Sequence, residues 1–282
     1  MSYINTILGF ITYILFYPFK KDKLDVLSLY YHDPKPESFE KVILWCKKKG
    51  YEFVSIEDIT DYVKGNINNK KMVHFSFDDG WSTNKALIPI IEKYNVPITI
   101  FVPVEPLDSG NFWWNYVYEK YKNLAVVEKF KTYSEEKFKT EVEKIKKEIK
   151  LDREAVTFEE LKVMSKHPLI NIQSHTYNHP ILTNVSDDKL DFELMESKLF
   201  LSNLLEKNID IFSYPNGSFG EREENVARKY YSCAYTTVED YPKQGGNLWR
   251  IPRICLVDNY WSNLSRIVGA WKLLQKIISF TK

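Results

Sequence analysis

Short apolar runs alternate with longer amphipathic segments along most of the chain, and each kind predicts one type of element. The apolar runs predict strands at 25–31, 51–55, 72–77, 98–102, 169–174, 209–214, 233–237 and 250–257. The amphipathic segments predict helices at 36–49, 56–64, 83–94, 157–166, 187–207, 221–231 and 261–280. Strands that alternate with helices form parallel sheets, and seven or eight such units in one domain predict an α/β barrel.

The alternation stops between about residues 105 and 155. This stretch begins with two tryptophans, Trp113 and Trp114, and continues as a run rich in lysine and glutamate. Such a composition predicts a helical insertion with one solvated face. We therefore expect one barrel domain over 24–260 that contains this insertion, followed by a C-terminal amphipathic helix over 261–282.

The N-terminal stretch Ile4–Phe19 carries no charge, and Lys20, Lys21 and Lys23 follow at once. It is shorter than the ~20 residues that span a bilayer comfortably, and it lacks the features of a signal peptide. We interpret 1–23 as a short or monotopic membrane anchor. The lysines favour the cytoplasmic face, with the periplasmic or extracellular side as the alternative. The competing interpretation is a helix that packs on the domain.

Charge and cysteine content narrow the function classes. The 39 basic and 38 acidic residues leave a net charge of +1, which gives no electrostatic reason to expect nucleic acid as a partner. Cys46, Cys233 and Cys255 are odd in number and lack a C-x-x-C spacing. Neither a disulfide framework nor a cysteine zinc site is therefore expected.

The segment F-S-F-D-D-G at 75–80 places two adjacent carboxylates, Asp78 and Asp79, at the end of a predicted strand. Barrels of this class build their active sites on that face. Like charges in contact raise the pKa of one carboxyl unless they share a cation, so a metal bound by one Asp would leave the other as a base. The structural alternative is a strand-to-helix turn with an Asp N-cap.

The segment S-H-T-Y-N-H at 174–179 places His175 and His179 after another predicted strand. If the segment turned helically, the two imidazoles would face the same way. Histidine pairs also occur as structural residues, but the chain has only five histidines, so this spacing favours a metal site. Imidazole and carboxylate ligands suit zinc, cobalt, nickel or iron.

A third segment, F-S-Y-P-N-G at 212–217, is a predicted strand that meets a Pro-Asn-Gly turn. Together the three segments resemble motifs of the polysaccharide deacetylase family, also called the NodB-homology family or carbohydrate esterase family 4. They are similar to its T-F-D-D-G, H-S/T-x-x-H and F-A-Y-P-x-G motifs and follow in the same order. The resemblance runs from about Val26 to Val257 and includes L-Y-Y-H at 29–32 and R-I-P-R-I at 250–254.

The resemblance implies a distorted (β/α) barrel of about seven parallel strands. It also implies a metal-dependent hydrolase that removes an acyl group from a sugar. By motif position, Asp78 is the general base, and Asp79, His175 and His179 bind one divalent ion. Zinc is the first candidate for that ion, with cobalt, nickel or iron as alternatives.

Two positions depart from the family's pattern. Its third motif opens with an Arg that orients the base, and we place Phe212 at that position. Its late L-x-H motif, which supplies the general acid, has no His near 256–259. We expect His32 to take the acid's role and Arg253 to pair with Asp78. The alternatives are a structural histidine and a surface ion pair.

The same resemblance suggests how a sugar is held. It places Tyr214 and Pro215 beside the substrate groove, with backbone N–H groups of that loop facing an oxyanion. Trp113, Trp114 and Tyr116 on the insertion are candidates for a sugar-stacking wall. Their alternative role is to pin the insertion to the barrel.

The function that follows is hydrolysis of an N-acetyl group on a sugar of a surface polysaccharide or of its lipid-linked precursor. Two other functions fit the same residues. One is glycan binding without catalysis, against which the intact base and ligand set speaks. The other is removal of a formyl or O-acetyl group at the same site.

Overall fold

The computed structural model describes residues 2–20, 24–68 and 71–271. Its strands are β1 (Val26–Tyr31), β2 (Glu52–Phe53), β3 (Met72–Asp78), β4 (Ile98–Val102), β5 (Ile170–Ser174), β6 (Ile211–Ser213), β7 (Cys233–Tyr235) and β8 (Ile254–Cys255). Its α-helices are α1 (Ser2–Lys20), α2 (Pro36–Lys48), α3 (Ile56–Lys64), α4 (Ile88–Tyr94), α5 (Glu105–Ser109), α6 (Trp113–Tyr121), α7 (Leu124–Phe130), α8 (Glu135–Glu148), α9 (Phe158–Ser165), α10 (Asp187–Leu205), α11 (Glu221–Tyr230) and α12 (Tyr260–Ile267).

These strands form one parallel sheet. Seven of them run in the order β7-β6-β5-β4-β3-β1-β8, and β2 pairs with the start of β3. A parallel bridge between Tyr235 and Ile251 joins the end of β7 to the chain just before β8. The sheet therefore curls into a distorted barrel flanked by helices, and the predicted fold class is confirmed.

The last strand is shorter than predicted. Only Ile254–Cys255 forms a strand, instead of 250–257. The chain pairs with β7 at Ile251 and with β1 at Ile254, so it crosses from one strand to the other within a few residues. Pro252, which has no N–H to donate to a ladder, lies at the crossing.

Strand β3 shows how the sequence separates the two faces of the sheet. Side chains alternate along a strand, so Phe75 points to the helix layer and packs on Phe39 of α2, with ring centroids 5.2 Å apart. His74, Ser76 and Asp78 occupy the opposite face, and all three are buried. Buried polar groups require hydrogen-bond partners, and those partners organise the interior of this barrel.

The predicted helix over 83–94 is broken in two. Ser82–Leu87 is a 3-10 helix, and α4 begins at Ile88 with Pro89 in its first turn. Within a helix a proline removes a hydrogen bond, whereas in the first turn its missing N–H would have had no helical partner. The proline therefore marks the start of a helix.

The insertion is helical, as predicted. Helices α6, α7 and α8 share a small apolar core made of Trp113, Tyr116, Val117, Val127, Phe130, Val142 and Ile145. This cluster is distinct from the core of the barrel, so the insertion is a packed unit rather than a loop.

Helix α1 packs on the domain with one of its faces. Thr12 Oγ1 lies 2.7 Å from Ser265 Oγ of α12, and a Cβ on Gly9 would be 2.6 Å from the backbone of Trp261. No helix in the described ranges is long and apolar enough to cross a membrane. The packing interpretation is confirmed for this face, while membrane contact and the cytoplasmic side stay predictions.

The predicted C-terminal helix is observed in its first part. Asn259 caps α12 by accepting a hydrogen bond from the backbone of Ser262 at 2.9 Å, and the helix ends at Ile267. The prediction of one continuous helix is wrong at Val268 and Gly269, which form a turn in which Gly269 has φ of +70°, a left-handed conformation that ends a helix. The rest of the prediction, 272–282, lies outside the described residues.

The environment of His74 predicts a contribution to stability that is lost in acid. Its Nδ1 lies 2.8 Å from the Val54 carbonyl and its Nε2 3.0 Å from Thr99 Oγ1, so Nδ1–H donates and Nε2 accepts. Burial lowers the pKa of His74 from 6.5 to about 4. The unfolded chain therefore binds more protons than the folded chain between these two values. Stability falls as the pH falls through that window.

Replacing His74 with Gln, which keeps a donor and an acceptor, should remove this pH dependence. Between pH 7 and pH 5 the wild type should lose about 2 kcal/mol more of its free energy of unfolding than the variant does. Urea denaturation at both pH values measures the difference. Equal losses would mean that His74 is not held neutral by the fold.

Candidate active site

Asp78, the last residue of β3, forms a bidentate ion pair with Arg253. The two Nη atoms each donate to one carboxylate oxygen at 2.8 Å, and the side chains are 3% and 0% exposed. The remaining N–H groups of the guanidinium donate to Thr236 O at 3.1 Å, Ser76 Oγ at 3.1 Å and Ser213 Oγ at 2.7 Å. Since each N–H has an acceptor, the carboxylate is held in one orientation.

This is the pairing with Asp78 that the sequence predicted for Arg253, and its burial excludes the alternative of a surface ion pair. The guanidinium also lies over the ring of Tyr30, 4.3 Å from its centroid. In the pattern of the family that the sequence resembles, an Arg of the third motif orients the base. Here Arg253, late in the chain, contacts Asp78 in its place. Its role in catalysis stays a prediction.

Asp79, His175 and His179 bring three ligand atoms together. Asp79 Oδ1 is 3.3 Å from His179 Nε2 and 3.6 Å from His175 Nε2, and all three residues are buried. Metal–ligand bonds of about 2.0–2.2 Å at tetrahedral angles place ligand atoms roughly 3.4 Å apart, which the two Asp–His separations match. All three ligand atoms lie within 4.8 Å of one another, so they could hold one ion. Within the described chain Asp79 Oδ1 has no hydrogen-bond partner. A buried carboxylate oxygen without a partner is costly unless a cation binds it.

Contacts behind the ligands orient them for this role. His175 Nδ1–H donates to the carbonyl of Ser213 at 2.7 Å, which leaves the Nε2 lone pair directed at Asp79. Trp81 Nε1–H donates to Asp79 Oδ2 at 3.3 Å and so leaves Oδ1 free. The donor set therefore fits a divalent ion.

The electrostatics favour the metal-binding protonation states. Burial raises the pKa of Asp79. The contact with His179 and the charges of the nearby histidines lower that pKa by more than burial raises it, so it lies well below its ordinary value. Burial lowers the pKa of His175 to about 4, which keeps the ring neutral at pH 7. Burial also raises the pKa of Asp78, and the Arg253 guanidinium more than offsets this. The proposed base is thus ionised at neutral pH.

The loop that carries the two histidines is not the helical turn on which their convergence was argued. Thr176 and His179 instead adopt left-handed backbone angles, with φ of +72° and +55°, and Asp79 has φ of +76°. Residues other than glycine rarely adopt this backbone conformation, which costs about 1–3 kcal/mol each. They keep it only where the surrounding structure holds them in it. The metal site therefore depends on contacts that hold this backbone.

Glu193 of α10, which was not among the residues predicted from the sequence, provides these contacts. Its buried carboxylate accepts the backbone N–H groups of Tyr177 at 2.9 Å and Asn178 at 2.7 Å, as well as the Asn178 side chain at 2.7 Å. Lys189 lies 2.9 Å away and balances the charge. One feature of the sequence could have revealed this role: Glu193 is an acidic residue within the apolar stripe of the long helix α10.

Replacing Glu193 with Gln should weaken divalent-metal binding by about 10–100-fold, because the amide has one acceptor oxygen in place of two. Its NH2 group cannot accept the side-chain N–H of Asn178 while its oxygen accepts the two backbone N–H groups. Isothermal titration calorimetry of the variant and the wild type with a divalent metal measures the change in the dissociation constant. Glu196→Gln, one turn along the same helix, is the matched control and should bind metal like the wild type. Similar affinities for both variants would show that the loop holds its shape without Glu193.

The insertion supplies an aromatic wall beside the ligands. Trp81 lies 4.5 Å from Phe112, Phe112 stacks on Trp114 at 4.8 Å, and Trp114 contacts the ring of His179 at 4.6 Å, all between centroids. Trp81 and Trp114 are half-buried, so each keeps part of its ring open. Trp114 was predicted from the sequence, whereas Trp81 was not.

Trp113 and Tyr116 do not belong to this wall. Trp113 is 5% exposed, packs on Phe138 and donates its Nε1–H to the carbonyl of His179 at 3.1 Å. Tyr116 lies in the core of the insertion. Both rings are buried, which corrects their assignment to sugar stacking. Trp113 pins the insertion to the barrel, and Tyr116 belongs to the insertion's own core.

Tyr214 and Pro215 also lie elsewhere than predicted. Tyr214 is fully buried and stacks on Phe219, with centroids 4.7 Å apart, and Pro215 is buried as well. Side chains alternate along β6, so Phe212 and Tyr214 face the helices while Ser213 faces the site. The placement of Phe212 at the position of the base-orienting Arg is therefore wrong. Ser213 faces the base instead, and its hydroxyl contacts Arg253.

The Pro-Asn-Gly turn that follows has a clear backbone requirement. A Cβ on Gly217 would lie 1.8 Å from Thr237 Oγ1, and the residue has φ of +65°. The amides of Tyr214, Gly217 and Ser218 donate to backbone carbonyls, and Pro215 has no N–H. Within 214–218, the backbone N–H of Asn216 is therefore the donor that makes no backbone hydrogen bond and is available to an oxyanion.

His32 lies at the mouth of the barrel, as predicted. Its side chain is exposed, and its ring is 5.6 Å from that of Tyr30, which lies beneath Arg253. Its charge contributes to lowering the pKa of both Asp78 and Asp79, so it is near them. An exposed ring beside the base is available to a bound substrate, and its role as the acid stays a prediction.

Comparison with known proteins decides the family. The sequence model of the polysaccharide deacetylase family matches residues 65–235, more than half of the chain. The chain belongs to the polysaccharide deacetylase family. The members of this family are hydrolases that act on amide or ester bonds of polysaccharides.

Individual relatives of this polysaccharide deacetylase agree with its family. The polysaccharide deacetylase candidate YxkH of Bacillus subtilis strain 168 is 23% identical over 224 residues, which are 78% of this chain and 64% of that protein. The chain thus spans less than two thirds of this curated relative.

Two solved structures share the fold. The deacetylase PplD of Streptococcus pyogenes, solved with acetate, has a TM-score of 0.66 at 22% identity and covers 86% of this chain and 98% of its own. A de-N-acetylase from Aggregatibacter actinomycetemcomitans has a TM-score of 0.58 at 20% identity and covers 83% and 94%.

Proposed function

We propose that this polysaccharide deacetylase is a metal-dependent hydrolase that removes N-acetyl groups from a sugar of a surface polysaccharide or its lipid-linked precursor. One observation carries the proposal: the three ligand atoms of Asp79, His175 and His179 converge beside an Asp78 that Arg253 orients. Two relatives support N-acetyl as the group removed, because the Streptococcus pyogenes deacetylase binds acetate and the Aggregatibacter protein is a de-N-acetylase.

Each residue has a part that its surroundings explain. Asp79, His175 and His179 hold a divalent ion, with zinc as the first candidate and cobalt, nickel or iron as alternatives. Such an ion, when bound, supplies Lewis-acid polarisation of the acyl oxygen and activation of water. Asp78 accepts the proton of the attacking water, and its ion pair with Arg253 keeps it ionised for that step.

Other residues position the substrate and receive its charge. The open parts of Trp81 and Trp114 stack on the sugar ring next to the ligands, because the apolar faces of a sugar pack on aromatic surfaces. The backbone N–H of Asn216, the donor of 214–218 that makes no backbone hydrogen bond, is the candidate to stabilise the acyl oxygen as it becomes negative.

His32 is the proposed donor of the proton that the leaving amine requires. His32→Ala should lower kcat on an amide substrate by ~10²–10⁴-fold and leave the metal content unchanged. The loss should be smaller on an activated acetyl ester, whose leaving group needs no proton. Equal losses on both substrates would assign His32 to holding the site, and full activity on the amide would assign the acid to another residue.

The function is tested by incubating the protein with N-acetylglucosamine oligomers and with acetylated surface polysaccharide, and measuring released acetate and free amine. Acetate with an equal amount of new amine is the expected result. Acetate without amine would make the enzyme an O-deacetylase, and formate would make it a deformylase. Tight binding of metal-loaded protein to the glycan without any product would identify a glycan-binding relative.

A further inference from the structure

The face of α1 that points away from the domain is apolar and open to solvent. It is lined by Ile7, Phe10, Ile11, Ile14, Leu15 and Phe19, which are between 40% and 81% exposed. The residues from 2 to 19 include no charged side chain. Surface helices of soluble domains have polar outer faces, and a contiguous apolar patch marks an interaction site.

The opposite face of α1 is fixed, so the helix does not rotate to hide this patch. Tyr13 Oη accepts a hydrogen bond from Trp45 Nε1 of α2 at 2.9 Å, and Thr12 bonds to Ser265 of α12. Gly9 lets the backbones of α1 and α12 come into contact. Turning the exposed residues inward would break all of these contacts.

Positive charge borders the apolar face. Lys47, Lys48 and Lys49 follow one another at the end of α2, and Lys49 Nζ lies 4.1 Å from the ring centroid of Tyr17 on α1. Lys47 and Lys48 are exposed. Lys49 thus lies beside the uncharged part of α1, and its chain neighbours Lys47 and Lys48 are open to solvent at the same end of α2. This positive charge complements an anionic lipid surface, whereas an uncharged face without a pocket gives a protein partner little to recognise.

We propose that α1 docks the protein onto the surface of an anionic lipid bilayer. The apolar residues enter the boundary between headgroups and acyl chains, and Lys47–Lys49 contact the headgroup phosphates. The helix lies in the plane of the membrane and does not cross it, in agreement with its length and apolar content. This surface is separate from the catalytic residues, so it does not rest on the proposed function.

The docking surface also sets the orientation of the active site. The first turns of α1 contact the loop after β8, where Asn259 Nδ2 donates to Thr6 Oγ1 at 2.6 Å. Its last turns lie beside Lys49, just before β2. Helix α1 therefore runs along the side of the barrel, and docking lays the barrel on that side with its mouth beside the bilayer surface. For the proposed function, which this one consequence rests on, a sugar carried on a membrane lipid would enter such a site from the side.

Vesicle co-sedimentation of the full chain tests the proposal. Vesicles of phosphatidylcholine with phosphatidylglycerol should bind the protein, and vesicles of phosphatidylcholine alone should bind it more weakly. Leu15→Glu and Phe19→Glu, at exposed positions, should each weaken binding by about 10–100-fold. Neutralising Lys47 and Lys48 together with Gln should weaken it roughly twentyfold, and high salt should do the same.

Matched controls isolate the surface. Val163→Glu changes an equally exposed apolar residue on α9, where Val163 is 71% exposed, and should leave vesicle binding unchanged. All variants should hydrolyse a soluble substrate like the wild type, because none touches the site. Asp78→Asn should bind vesicles normally even when it is inactive, so failure of docking and failure of the proposed function are distinguishable.

Three results would overturn the proposal. One is wild-type protein that stays in solution with anionic vesicles. The other is an oligomer in sedimentation velocity that Leu15→Glu dissociates while vesicle binding is absent, because the apolar face would then belong to contact between copies. Loss of binding in the Val163→Glu control would likewise assign binding to general surface hydrophobicity.

Discussion

The Asp78→Asn variant is expected to lose about 10²–10⁴-fold in kcat while it keeps its divalent metal. The amide is the same size as the carboxylate but does not accept the proton of the attacking water, and general-base catalysis contributes ~10²–10⁴-fold. The metal ligands are the neighbouring Asp79 and two histidines, none of which the change removes. Steady-state kinetics and metal analysis of the same preparation measure both properties.

Asp79→Asn is the matched control, because it makes the same chemical change one residue along the chain. It should lose metal as well as activity, since the neutral amide oxygen is a weak ligand for a transition ion. If Asp78→Asn lost metal as completely as Asp79→Asn, the division of roles between the two carboxylates would be wrong. If it stayed fully active, Asp78 would not be the base.

The Arg253→Met variant is expected to be strongly destabilised. It leaves the carboxylate of Asp78 buried without its counter-ion, and breaking a buried pair in this way costs about 3–5 kcal/mol. Chemical denaturation of metal-free protein measures the loss. In the Asp78→Asn background the same change should cost clearly less, because no buried charge is left behind.

Removing Arg253 should also shift the pH profile of kcat/KM. The guanidinium holds the pKa of Asp78 below its ordinary value, so its loss raises that pKa. Asp78 must be ionised to act as a base, and so the acidic limb of kcat/KM should move to higher pH in Arg253→Met. An unchanged limb alongside lost stability would make Arg253 a purely structural residue.

The sequence predicted most of the fold, because the alternation of strands and helices is written in its hydrophobic pattern. The start and end of α3 and β4 were predicted to the residue. The pattern failed at 250–257, where the chain changes partner strands and Pro252 interrupts pairing. Such a crossing depends on how the barrel closes, which a local pattern does not contain.

The candidate site was predicted in its chemistry more than in its geometry. Asp79, His175 and His179 converge as expected, yet a loop with left-handed residues brings the histidines together instead of a helical turn. That loop depends on Glu193, which lies on a distant helix. The pairing of Arg253 with Asp78 was within reach, because Asp78 ends β3, Arg253 directly precedes β8, and both strands pair with β1.

Side-chain direction was the main source of error. Tyr214 and Trp113 were placed in the groove from their neighbourhood in the sequence, but strand alternation and the core of the insertion turn them inward. Trp81 was overlooked because it follows the Asp pair in a turn, where no periodicity indicates which way a ring points.

The central claim is that this polysaccharide deacetylase holds a catalytic divalent ion on Asp79, His175 and His179. Its most direct test is the metal content per chain of the wild type and of His175→Ala, measured by inductively coupled plasma mass spectrometry after dialysis against metal-free buffer. The structure predicts about one divalent transition ion per wild-type chain and close to none in a folded variant. Equal metal content in the two proteins, or none in an active wild type, would contradict it.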